Sequence, residues 1–184
     1  MIVVYDLEYT TWEGARARGW SGPGEHREVV QIGAVRLDGG TEASILVKPR
    51  LNPDLSAYFT TLTGISQGQV DKDGIDFAAA LARLADFAQG AGLVANGADE
   101  EVLRENCRLT DTAFPFEGRC CDISPLLRRA AGRDGHVFSC DLGQTFGLAL
   151  DQTAHDALGD ARQVAAVVRL LLDTGRLRPE EIRP

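Results

Sequence analysis

The sequence predicts an α/β fold: a five-stranded mixed sheet, three antiparallel strands and then two parallel ones, flanked by helices on both faces. Three observations carry this expectation. The chain up to Lys48 holds three β-rich apolar runs, two of them joined by a hairpin turn. Beyond Pro49 the apolar spacing becomes helical and then alternates with short apolar runs, the pattern of strands linked through helices. The last long segment has an apolar face at helical spacing, which covers a sheet well.

Each element has a local reason. Residues 1–6 form a buried strand led by Ile2, Val3 and Val4. Residues 29–37 and 43–48 are two more, and Asp38-Gly39-Gly40 turns the chain between them. From Asp76 onward, Phe77, Leu81, Leu84 and Ala88 share one helical face, and Gly90 stops that helix. Leu93-Val94-Ala95 is a short inner strand, and Asn96 is placed to cap a helix whose first turn is acidic (Asp99, Glu100, Glu101). Residues 118–123 make the fifth strand, followed by a helix with Ser124 as N-cap and Pro125 in its first position. Ser139 starts a short helix that ends near Gly147. The final helix runs from about Ala157 to Thr174, with Leu158, Val164, Val168 and Leu171 on its core face and Gly175 as its cap.

The 184 residues fit a single domain, 1–184, with 44% hydrophobic and 25% charged residues as in soluble globular proteins. No apolar run approaches the roughly 20 residues that span a bilayer. Asp6 and Glu8 interrupt the first apolar run, and no basic region precedes it, so a cytoplasmic protein without membrane attachment is expected. Cys107, Cys120, Cys121 and Cys140 form no CxxC pair and read as free thiols. A net charge of -8 argues against broad, charge-driven nucleic-acid binding. It leaves room for an enzyme in which cations invert the local field. The basic residues are 17 Arg against 2 Lys; Arg suits bidentate phosphate contacts, although genomic composition gives the same bias.

Carboxylates hold the chemistry. Asp6 and Glu8 are two apart on a strand, so both project from one face, near its C-terminal end where ligand sites gather. Asp99 follows the fourth strand. His155 and Asp160 are five apart, a spacing that does not align them on one helix face. With His155 in the loop ahead of the helix, the imidazole swings toward the same place as Asp160. Taken singly, each feature has a bland reading: a solvated strand edge, an acid on a helix dipole, a coincidence of composition. Taken together, Asp6, Glu8, Asp99 and Asp160 are oxygen donors, and hard oxygen ligands select Mg²⁺ or Mn²⁺. Two such ions align a water and a leaving oxygen about a phosphodiester, and His155 serves as the base.

In this order the residues resemble the DEDDh family of 3′→5′ exonucleases. Asp6-Leu7-Glu8 matches its first motif, Asp99 its second and His155 through Asp160 its third. The segments Tyr5-Asp-Leu-Glu-Tyr-Thr-Thr-Trp-Glu13, Glu28-Val-Val-Gln-Ile-Gly33, Val47-Lys-Pro49 and Leu62-Thr-Gly-Ile-Ser-Gln67 are similar to one branch. It contains histone-mRNA and siRNA-trimming exoribonucleases and bacterial relatives described as sporulation-kinase inhibitors. The resemblance implies an RNase H-like fold, two Mg²⁺ or Mn²⁺ ions on Asp6, Glu8, Asp99 and Asp160, and His155 as general base. It further implies action at the 3′ end of single-stranded nucleic acid, RNA favoured over DNA, with release of 5′-mononucleotides. Leu7 and Thr63-Gly64-Ile65 would meet the terminal nucleotide.

Asn96-Gly-Ala-Asp99 lacks the aromatic common at the second motif, and residues 13–27 have no counterpart we can align. Together with Trp12 just before it, the segment's Arg16, Arg18, Trp20 and Arg27 suit a lid over a strand, while a mobile surface loop fits equally. His26 and His136 read as incidental, and Glu13 as a solvated loop residue. Two rivals remain: a protein-binding regulator of a kinase pathway, and a phosphodiesterase of short oligonucleotides. The exposed side of the C-terminal helix offers a surface on which two copies pair.

Overall fold

The chain's computed structural model describes residues 1–150 and 155–182. Strands β1 (Ile2–Tyr9), β2 (Val29–Arg36), β3 (Glu42–Leu46), β4 (Gly92–Ala95) and β5 (Cys120–Asp122) form one sheet in the order β3-β2-β1-β4-β5. The β1–β2 and β2–β3 pairs are antiparallel, and β1–β4 and β4–β5 are parallel. The helices are α1 (Ala57–Thr63), α2 (Gln67–Asp73), α3 (Phe77–Ala88), α4 (Asp99–Thr110), α5 (Ser124–Ala131), α6 (Ser139–Thr145) and α7 (Ala157–Asp173). The expected architecture is therefore the observed one.

Alternation along the inner strands explains the two layers. Val3, Tyr5 and Leu7 of β1, with Ile32 and Ala34 of β2, pack on Leu81 and Leu84 of α3 and Leu103 of α4. Val4, Val35 and Val94 face the other way, onto Leu127 of α5 and Val164, Val168 and Leu171 of α7. Since side chains alternate at period two, a strand covered on both faces needs apolar residues at successive positions. Among the described residues no helix is long and apolar enough to cross a membrane.

Four expectations change. Strand β1 continues through the acids to Tyr9, held by β2 as far as the Tyr9–Val29 pair, so Asp6 and Glu8 lie inside it rather than at its end. Asn96 does not cap α4: the capping position is Ala98, which makes no side-chain bond, and the Asn96 amide donates to the Val137 carbonyl (2.9 Å) and Ser139 Oγ (3.2 Å). Ser124 is the first residue of α5, and the Asp122 carboxylate accepts its N–H at 2.8 Å. At the end of α7 the cap is Thr174, with Gly175 one step beyond in the left-handed region.

Helices α1 and α2 are absent from the sequence-based expectation. Each is only two turns long, and between them they bury Phe59, Thr63 and Val70, too few positions to show a period. Their signal lies in the caps. Ser56 Oγ accepts the Phe59 N–H, and Ser66 with Gln69 forms a reciprocal capping box.

The start of α7 is docked on β2 by two residues of the Gln31-Ile32-Gly33 run. Gln31 Nε2 donates to Asp156 Oδ1 (2.8 Å), and Gln31 Oε1 accepts the Ala157 N–H (3.0 Å). Asp156 in turn caps the helix by accepting the Gly159 N–H at 2.9 Å. Gly33 lets the two backbones touch: a Cβ there would lie 2.1 Å from the Ala157 carbonyl carbon and 2.2 Å from Leu158 N. Neither neighbour is a side-chain tip that can yield. Gly33→Ala should therefore lower stability by about 1–3 kcal/mol, the range for forced overpacking. Urea unfolding checks this, and unaltered stability would show that α7 is not seated through this contact.

Candidate active site

Parity on β1 gives the site its first two members. Asp6 and Glu8 share the Val4 face, toward α7. Strand β4 pairs with β1 only at Ile2–Val4, so the acids stand beyond the end of β4, where the chain turns through Asn96-Gly97-Ala98 into α4. That turn delivers Asp99. On the other side α7 contributes Asp160 from its first turn and His155 from the loop before it. His155 has a backbone φ of 59°, in the sparsely used left-handed region where His is among the more tolerant side chains. All five residues line one cleft of about 1180 Å³.

Ligating atoms of Glu8, His155 and Asp160 lie within 4.8 Å of one another. Glu8 and Asp160 are only 8% and 6% exposed. Asp6 Oδ1 receives the Ser139 hydroxyl at 3.4 Å, a long and weak contact. Among the described residues Asp160 Oδ1 and Asn96 Oδ1, both buried, have no hydrogen-bond partner.

Such crowding disfavours ionisation. Burial first, and then Asp99, Asp160 and Glu8, push the Asp6 carboxyl well above the usual range; the Ser139 hydroxyl pulls the other way. Burial, with Asp160, Asp99 and Asp156, raises Glu8 to about 8. Asp99 rises to about 7 through burial, tempered by its own backbone N–H and that of Leu7. Asp160 rises to about 7 through burial, tempered by the His155 backbone N–H. The His155 imidazole shifts down through burial and the charge of Arg16. Four mutually repelling acids and two orphaned buried oxygens, with no Lys or Arg bonded to those acids among the described residues, suit a bound divalent cation. Its oxygen-rich donor set fits Mg²⁺ or Mn²⁺.

The remaining expected contacts divide. Leu7 lines the cleft; Thr63, Gly64 and Ile65 do not, and the wall nearest them is formed by Tyr58 and Leu62 of α1. Thr63 Oγ1 donates to the Phe59 carbonyl and accepts the Ile65 N–H, Gly64 caps α1, and Ile65 packs on Phe59 and Val70. Within the 13–27 segment, Arg16 and Trp20 line the cleft together with Arg27, whereas Arg18 is paired with Glu25. Trp12 and His136 line it too. Sequence reasoning read Ser139 only as a helix start and Gln31 only as part of a family-like segment, and gave Asp156 no role; their parts in positioning the site were missed.

A family model described as Exonuclease (RNase_T) matches residues 3–168. The probable 3′-5′ exonuclease KapD of Bacillus subtilis (strain 168) is 26% identical over 176 residues, covering 92% of this chain and 83% of its own. Among solved structures, the nuclease domain of 3′hExo, a DEDDh family member bound to rAMP, superposes with a TM-score of 0.79 at 23% identity, over 96% of this chain and 94% of that one. E. coli exonuclease I in complex with a dT13 oligonucleotide gives 0.68 at 17% identity, over 93% of this chain and 40% of that one. These likenesses establish the RNase H-like fold expected above.

A folded-state pKa above the unfolded one means that stability is full at low pH and is lost as pH rises through the folded value. For Glu8, Asp99 and Asp160 that window runs from about pH 4 to about pH 8. With chelator present, their contribution to the melting temperature should therefore fall across this window. Mn²⁺ should raise the melting temperature, more at about pH 8 than at about pH 5. Asp6→Asn should blunt both responses in thermal scans, and a metal response equal to wild type would remove Asp6 from the ligand set.

Proposed function

This chain belongs to the exonuclease family, and from that premise we propose that it hydrolyses the last phosphodiester bond at the 3′ end of single-stranded nucleic acid. The products are 5′-mononucleotides, and RNA is favoured over DNA. One observation carries the reading: Asp6, Glu8, Asp99, Asp160 and His155, scattered over the sequence, line one cleft at the C-terminal edge of the sheet. The polarity follows KapD, a probable 3′-5′ exonuclease, and the ribose preference follows the rAMP-bound nuclease domain.

Asp6, Glu8, Asp99 and Asp160 would hold two divalent cations, Mg²⁺ or Mn²⁺. Bound there, the ions supply an acidified water and offset negative charge on the leaving oxygen. This chain's residues do the rest. His155, whose burial favours the neutral imidazole, accepts the proton of the attacking water at a ring nitrogen. Its place ahead of α7 keeps it beside Glu8 and Asp160. Leu7 offers an apolar contact to the terminal nucleotide, and Thr63, Gly64 and Ile65 support the Tyr58–Leu62 wall from behind.

The experiment uses single-stranded ribo- and deoxyribo-oligonucleotides labelled at the 5′ end, with Mg²⁺ or Mn²⁺. The expected result is a ladder shortening from the 3′ end and release of 5′-mononucleotides. Asp6→Ala and Asp160→Ala should abolish this while leaving the folded protein intact. His155→Ala should slow it by about 10²–10⁴, the usual contribution of a general base. No product from any strand would overturn the reading in favour of a binding role. Activity confined to the shortest oligomers would indicate a phosphodiesterase of short substrates.

A further inference from the structure

The segment between β1 and β2 carries Arg16, Arg18 and Arg27, and two of these are already engaged. Arg18 is paired with Glu25 and donates to the Glu13 carbonyl. Arg27 is paired with Glu105, and its guanidinium lies over Trp20. Arg16 has no carboxylate partner among the described residues. Its guanidinium lies 4.9 Å from the centre of the Phe138 ring, and both side chains line the acidic cleft.

The segment is a built turn rather than a slack loop. Ala15 is fully buried; its N–H donates to the Trp12 carbonyl, and its carbonyl accepts the Trp20 N–H, both at 2.9 Å. Trp20 stands edge-on to Tyr9 at 5.6 Å between centroids. Phe138 is held in turn, edge-on to His136 at 5.3 Å, and it directly precedes Ser139, whose hydroxyl reaches Asp6. The Arg16–Phe138 contact thus presents a cation on the wall of the cleft that the carboxylates also line. Its charge acts on His155, which stands beside Glu8 and Asp160, and on His136 and Tyr9.

A guanidinium held over an aromatic face uses none of its N–H donors on a carboxylate, and their fork matches phosphate oxygens. We propose that Arg16, positioned by the Phe138 ring, grips a backbone phosphate of the substrate strand upstream of the scissile bond. Through it, a chain of net charge -8 holds a polyanion beside its own acids. The contact selects strands over isolated nucleotide esters. This inference rests on the exonuclease reading above, and the test separates the two.

Two substrates are compared: a single-stranded oligonucleotide, and the p-nitrophenyl ester of thymidine 5′-phosphate, which has a scissile diester but no upstream phosphate. Arg16→Gln should lower kcat/KM for the oligonucleotide about tenfold more than for the ester, chiefly through KM, as expected for one lost charge-assisted bond. The slope of log KM against log salt should fall by about 0.7, the value for one phosphate contact on a single strand. Arg16→Lys should keep most of that slope, and Phe138→Leu should reproduce part of the KM effect. Arg83→Gln, which removes an equal charge from the exposed side of α3, should move neither readout. Equal losses on both substrates, or an unchanged salt slope, would overturn the upstream-phosphate role. If wild type cleaves neither substrate with Mg²⁺ or Mn²⁺, the exonuclease reading itself fails.

Discussion

The site is completed only by the way the first turn of α7 is seated on β2, which brings Asp160 and His155 to the acids of β1. Gln31 holds Asp156 and the Ala157 N–H, while Gly33 admits the helix backbone to contact distance. Because α7 is one rigid rod, fixing Ala157 also fixes Asp160, which lies less than one turn further on. The loop residue His155 is placed by the same anchor, two positions before the docked N–H. Neither Gln31 nor Gly33 lines the cleft, but they pair across the sheet with Glu8 and Asp6, so the residues that seat α7 also flank the first two acids. These residues position; they do not react.

The protein is built around a local electrostatic deficit. Four acids lie within or beside a sheet whose neighbouring residues are apolar, and their protonation equilibria are shifted upward by burial and by one another. Their mutual repulsion opposes folding unless protons or cations offset it. The apolar layers supply the opposing term: β1, β2 and β4 are buried on both faces. The same deficit would give bound cations their affinity. Arg16 then sits where negative charge would have to be gathered, outside the cluster and braced by Phe138 rather than by a carboxylate.

Much of the fold was legible because it is periodic. The strands at 29–36 and 92–95 and the helices at 77–88 and 157–173 each combine an apolar pattern with a recognisable stop. Legibility failed where the period was too short to register, as in the two-turn helices α1 and α2. It failed again where local propensity was overruled: Asn96 looks like a cap in isolation, but its amide is captured by Val137 and Ser139 from a distant segment. β1 also runs on through Asp6 and Glu8 because pairing with β2 continues beneath them, and no local signal distinguishes that from a strand that stops.

The sequence by itself determined which chemical groups are available and their order: the oxygen donors Asp6, Glu8, Asp99 and Asp160, the imidazole of His155, and the period of the elements that carry them. Spacing along a strand placed the first two on one face. Only the tertiary structure decided that these groups meet, because their meeting depends on where β4 stops pairing with β1 and on α7 docking at Gln31 and Gly33. It alone decided which arginine lacks a carboxylate partner among the described residues, since Arg16, Arg18 and Arg27 are alike as residues and differ only in the partners that folding brings to them. Residue type fixes what a side chain can bind; packing fixes what remains for it to bind.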